Sequence, residues 1–105
     1  MDQECYRHLM RSRYWRPVLY LFTEHPKLAT VFTDRYFDLE QEIISTRKLK
    51  TTSKGWSESE KFMLALALHL YNPVHKLPQG LSDMDYLDST NTELAFHALS
   101  LRYRT

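Results

Sequence analysis

Gly55-Trp56-Ser57-Glu58-Ser59-Glu60-Lys61-Phe62-Met63-Leu64-Ala65-Leu66-Ala67-Leu68-His69-Leu70-Tyr71-Asn72-Pro73 holds a start signal, an apolar body and a terminator for one helix. Ser57 with Glu60 three residues on makes a capping box, in which each side chain satisfies a backbone N–H that the first helical turn leaves unpaired. From Phe62 to Tyr71 the body is apolar on nearly every face. Such a helix must be wrapped by others, because exposing it would leave too much hydrocarbon in water. Asn72-Pro73 ends it, since proline cannot continue the hydrogen-bond ladder. The expected fold is all-α: a compact bundle of about four to five helices around a central apolar helix of about residues 58–71.

Working outward, a first helix is expected over Gln3 to Arg11, with Tyr6, Leu9 and Met10 on its apolar side. A second starts near Trp15, carries Pro17 in its first turn and has Val18 to Phe22 as its body. His25-Pro26 interrupts it, because the residue before proline is pushed out of helical geometry. A third helix is predicted from Pro26 to Phe37 with an extension toward Ile44, although its β-branched and aromatic residues invite a break at Asp34 to Asp38. Ser45 to Lys54 reads as a long polar loop. Asn72 to Gly80 is a turn-rich connection, and Ser82 to Leu87 suits one short helical turn. A last helix is signed by a second capping box, Thr90 with Glu93, and by the stripe Leu94, Ala95, Ala98, Leu99 and Leu101.

The 105 residues suit one domain spanning 1–105. A chain of that size buries roughly 65% of its unfolded surface and needs no metal or disulfide to fold. Two glycines and four prolines are too few for the many tight turns of a β-sandwich. The lone Cys5 points to a reducing compartment. The apolar run is about half the ~20 residues a membrane span needs, and Met1-Asp2-Gln3-Glu4 lacks a signal-peptide core. A soluble cytoplasmic protein without a membrane partner is expected.

No catalytic, cofactor-binding or metal-ligating residue stands out. His69 and His97, with Glu93 one turn before His97, allow a metal-dependent enzyme as a distant alternative, but no HExxH or clustered Cys/His spacing accompanies them. Asp83, Asp85 and Asp88 fail as a calcium loop, because the third ligand position is Leu87 and no glycine sits at the turn. They read better as carboxylates at helix N-termini, where the dipole favours them. Cys5 lacks a glycine-containing turn to form an oxyanion site, and Gly55 and Gly80 alone cannot build a phosphate loop. The chain is not expected to be an enzyme.

Charge is patterned instead. Net charge is only +1, yet Arg7, Arg11, Arg13 and Arg16 cluster near the start. Asp34, Asp38, Glu40 and Glu42 follow as an acidic block, then Arg47, Lys48, Lys50 and Lys54 as a basic one. Alternating blocks suit a protein that docks complementary patches on a partner or on a second copy of itself. The expected partner-binding residues are Arg13, Trp15, Arg16, Arg47, Lys48, Lys50, Lys54 and Trp56, and the expected partner is another protein. Nucleic acid, held through the same basic residues, is the alternative. An apolar central helix in so short a chain also leaves a homodimer open.

Tyr36-Phe37-Asp38-Leu39-Glu40, Gly55-Trp56, Leu66-Ala67-Leu68-His69-Leu70-Tyr71-Asn72 and Ala95 with Leu101-Arg102-Tyr103 together make the chain from Tyr36 onward resemble a family of small all-helical proteins of unknown function from Gram-positive bacteria and their mobile elements. The resemblance implies a helical fold and offers no catalytic or ligand residue. By analogy with other small phage and plasmid proteins it implies an inhibitor or modulator of a larger host protein, including defence proteins.

Overall fold

The computed structural model describes residues 1–78 and 80–104. Its elements in chain order are α1 (Gln3–Leu9), α2 (Trp15–Glu24), the single turn α3 (Pro26–Ala29), a hairpin of β1 (Phe37–Asp38) and β2 (Ile43–Ile44), α4 (Thr46–Thr52), α5 (Glu58–Tyr71) and α6 (Ser89–Tyr103). Two 3₁₀ turns, Ser53–Gly55 and Gly80–Tyr86, lead into α5 and α6. Helix dominates, as expected, and the radius of gyration of 12.9 Å is that of a compact chain of this length, ~13 Å.

The capping box of α5 forms as its sequence requires. Ser57 Oγ accepts the Glu60 N–H at 3.2 Å and Glu60 Oε1 accepts the Ser57 N–H at 3.0 Å. The helix then buries Phe62, Met63, Leu64, Leu66, Ala67, Leu68 and Leu70, which lie on more than one face. Its wrapping is shared with α2, whose Val18, Leu19, Leu21 and Phe22 have no accessible surface. α2 lies between α5 and α6 and packs on both. The core therefore centres on the α2/α5 pair rather than on α5 alone.

Chain direction follows from contacts at the helix ends. Trp15, opening α2, meets Tyr71, closing α5, with ring centroids 5.4 Å apart, while Lys27, just past α2, sits over Trp56, just before α5. Tyr14 at the head of α2 meets Arg102 at the tail of α6. Both α5 and α6 thus run antiparallel to α2 and parallel to each other. The segment between them must travel back along α5, about 21 Å for its 14 residues, and Ser82 to Tyr86 accordingly lie beside Glu58 and Phe62. Ala95 and Ala98, both fully buried, let the α6 backbone approach α2 closely.

Four sequence expectations are corrected. The third helix stops at Ala29, where the Thr30 hydroxyl donates to the Lys27 carbonyl at 2.6 Å and competes with the helical ladder. Phe37 and Leu39 are then buried with Asp38 exposed between them, a period of two that suits a strand rather than a helix. Phe37 pairs with Ile44 and Asp38 with Ile43, antiparallel. Glu42 closes the turn at φ 56°, in the left-handed region that usually takes glycine or asparagine.

The polar stretch after Ser45 is also not a loop but α4, pinned by the wholly buried Leu49. Tyr36 and Thr52 share a hydroxyl–hydroxyl bond of 2.9 Å that ties the end of α4 to the residue just before β1. Leu49→Ala is expected to cost about 2 kcal/mol and to release α4 without unfolding the rest. Amide exchange should accelerate over residues 46–52 and stay slow in α2 and α5.

The N-cap of α6 lies two residues before the predicted one. Asp88, not Thr90, accepts the Asn91 N–H at 2.8 Å, because a carboxylate caps better than a threonine and gains from the dipole. Trp15, expected on the docking surface, is only 6% exposed and belongs to the core.

Candidate functional site

The predicted partner-binding residues separate into two surfaces. The first lies where α2 starts and α6 ends. Ser12 positions it: its hydroxyl accepts the N–H groups of Tyr14 at 3.1 Å and Trp15 at 3.2 Å, which turns Trp15 inward. Tyr14 is left 53% exposed and Tyr103, from α6, 59% exposed. The Arg102 guanidinium contacts both rings, 4.2 Å from the Tyr14 centroid and 4.7 Å from that of Tyr103. Arg13 adds a bond from its Nη2 to the Arg102 carbonyl at 3.3 Å, and Arg16 is exposed one turn along α2. Two tyrosines and a guanidinium in cation–π contact form a half-exposed platform. Neither Arg102 nor Tyr103 is among the partner-binding residues that the sequence predicts. The pairing spans 89 positions, and no local signal announces it.

The second surface is a groove of about 400 Å³ between α4, α5 and the segment after α5, lined by Lys50, Ser53, Lys54, Lys61, His75 and Lys76 over a floor of Leu64, Ala65 and Leu68. Arg47 and Lys50 stand three residues apart on one face of α4, and the 3₁₀ turn that follows brings Lys54 to the same side. They line a shallower hollow with Thr46 and Thr51 that adjoins the groove. Lys48 is exposed but lies a third of a turn away. Trp56 is half-buried beneath Lys27 at 5.4 Å and faces neither hollow. Lys61 of α5, with His75 and Lys76 of the segment after it, are additions that only the tertiary structure supplies.

His75 sits within this charge. Partial burial first, and the Lys50 ammonium second, push its pKa below the usual imidazole value. The neutral ring then accepts from Lys50 Nζ through Nδ1 at 3.0 Å. His69 Nδ1 bonds the His75 carbonyl at 2.9 Å and so fixes the turn that carries this ring.

The enzyme-type candidates do not converge. His69 is engaged as described, and the His97 ring lies against Tyr20, tilted by 42°, with centroids 4.5 Å apart. Among the described residues no three His, Cys, Asp or Glu side chains are grouped to hold a metal ion. The Cys5 thiol is pushed up by burial and then by the Asp2 carboxylate, which favours the unreactive protonated form. Asp2 itself caps α1, accepting the Glu4 N–H at 2.8 Å. No described helix is long and apolar enough to cross a membrane. No family model, curated protein or solved structure matches the chain, so function has to be read from these residues.

Proposed function

We propose that this chain is a non-enzymatic helical binding protein that acts by protein–protein contact through the Tyr14–Arg102–Tyr103 platform. One observation carries the reading: two exposed tyrosines and an arginine are pre-ordered against each other, flanked by Arg13 and Arg16. Tyrosine and arginine are enriched at interface hot spots, tyrosine because it buries a large amphipathic ring at little entropic cost and arginine because its planar guanidinium both stacks and donates. The role implied by the family resemblance, blocking a larger host protein, is one form such binding takes.

Replacing both Tyr14 and Tyr103 by alanine is expected to weaken partner binding by about thirtyfold or more while leaving the fold intact, since both rings are exposed. Capture from host lysate, with and without nuclease and at two salt concentrations, is the check. A stoichiometric protein that survives nuclease and high salt, and is lost with the double variant, supports the proposal. The same rings can stack on unpaired bases. Recovery that disappears with nuclease and falls steeply with salt would assign the platform to nucleic acid instead.

A further inference from the structure

The basic groove of α4 and α5 is not used by the platform, and its chemistry is specific enough to name an occupant. Lys50, Lys54, Lys61 and Lys76 surround an apolar floor of Leu64, Ala65 and Leu68. Lys61 has one carboxylate neighbour, Glu58 at 3.9 Å, in an exposed pair that contributes little. A segment that fills this groove must bring carboxylates for the rim and apolar side chains for the floor. The chain itself carries one. Leu81, Asp83, Asp85 and Tyr86 lie on the 3₁₀ turn before α6, with Leu81 62% and Tyr86 77% exposed. Asp83, Asp85 and Tyr86, with Glu58, also border a hollow of about 500 Å³ beside α5.

The turn lies outside the groove of its own molecule. It is held against Glu58 and Phe62, whereas the groove is floored by Leu64, Ala65 and Leu68. At 3.6 residues per turn these two faces of α5 lie roughly a quarter turn apart. The match is therefore between copies. We propose that the acidic turn Leu81 to Tyr86 of one copy docks into the α4/α5 groove of another, with Asp83 and Asp85 against the lysines and Tyr86 or Leu81 on the apolar floor. The contact joins two different patches, so it closes as a reciprocal pair or ring, or else propagates. A second acidic surface, the β1–β2 turn with Glu40 and Glu42, offers only Ile43 as an exposed apolar anchor, at 51%. It is the weaker fit.

Sedimentation from about 10 µM to about 1 mM, the range of weak contacts, tests this on the full chain. Mass should rise above the monomer with concentration. Affinity should drop at least tenfold from about 0.1 M to about 1 M salt, as the screening length shortens from ~10 Å to ~3 Å. Lys50→Glu with Lys54→Glu should leave a monomer, and so should Asp83→Lys with Asp85→Lys, each keeping the wild-type circular dichroism. Mixing these two variants should restore association, because the acidic groove of one now meets the basic turn of the other. A wild type that stays monomeric throughout would overturn the proposal, as would failure of the mixture to associate. So would loss of association on reversing Glu40 and Glu42 while the Asp83/Asp85 variant still self-associates. Partner capture through Tyr14 and Tyr103 is measured separately, and either result can fail alone.

Discussion

Phe22→Ala should remove about 4 kcal/mol of stability, a large part of the ~5–15 kcal/mol that holds a domain of this size together. Phe22 is wholly buried in the last turn of the core helix α2. Its ring meets Phe37 edge-on at 4.8 Å and lies 6.5 Å from Phe32, which in turn meets Phe37 at 4.9 Å and Tyr6 at 6.3 Å. The cluster joins α1, α2, the segment after α3 and the hairpin, so truncation opens a cavity that several elements border and none can fill alone. Urea denaturation is the measurement, with Thr23→Ala as the neighbouring surface control. The control should stay near ±0.5 kcal/mol. Equal midpoints for the two variants would mean the ring cluster does not hold these elements.

Acid should destabilise the protein through His25 before it protonates the carboxylates. His25 is 4% exposed and works as a double cap. Its backbone N–H closes α2 on the Leu21 carbonyl at 3.0 Å. Its Nδ1 accepts the N–H groups of Lys27 at 3.1 Å and Leu28 at 3.3 Å, which starts α3. A ring that accepts at Nδ1 must be neutral there. Burial pushes its pKa below the usual value, opposed by a side-chain bond with Asn91 of α6 and by the charges of Glu60 of α5 and Asp88 at the head of α6.

Because the folded pKa is lowered, the unfolded chain takes up this proton first, at about 6.5. The stabilisation is complete above that pH and is lost as pH falls from there toward the folded pKa. Asp2 and Glu60 are shifted down by the backbone N–H groups they accept. Their contribution persists above about pH 4 and fades only below it, so the two windows separate. Thermal melts at intervals from about pH 8 to pH 4.5 should show a decline that His25→Asn, an acceptor without this titration, reduces, leaving the share due to His75, whose pKa is lowered as well. His25→Ala leaves the Lys27 and Leu28 N–H groups without this acceptor and should cost about 3 kcal/mol near pH 8, a difference that shrinks as pH falls and the wild type loses the same bonds. A wild-type melting temperature flat across this range would refute the role given to His25.

How far the sequence carried the reading varies by element. The Ser57–Glu60 box, the body of α5, the His25-Pro26 break and Pro17 in the first turn of α2 were all legible, because each depends on residues within about four positions. The hairpin had a trace in Phe37 and Leu39 flanking Asp38, and in the adjacent Ile43 and Ile44. Aromatic and β-branched residues at near-helical spacing masked it. α4 had no trace beyond Leu49, since Thr, Ser and Lys neither favour nor forbid a helix until one leucine is buried.

The candidate surfaces show the same division. Arg13, Arg16, Arg47, Lys50 and Lys54 were visible as charge blocks, yet Trp15 turned inward, Tyr14 turned outward, and Tyr103 came from the far end of the chain.

By itself, then, the sequence determined where the main helices start and stop and that α5 had to be enclosed, because capping, proline geometry and the hydrophobicity of one segment act within a turn or two of chain. Tertiary structure alone decided which charges share a surface. The Arg13 to Arg102 bond spans 89 positions and the Lys50 to His75 bond spans 25. Which far residue lands beside a given side chain is set by how α2, α5 and α6 pack, and that packing energy is summed over the whole core rather than written in any one stretch.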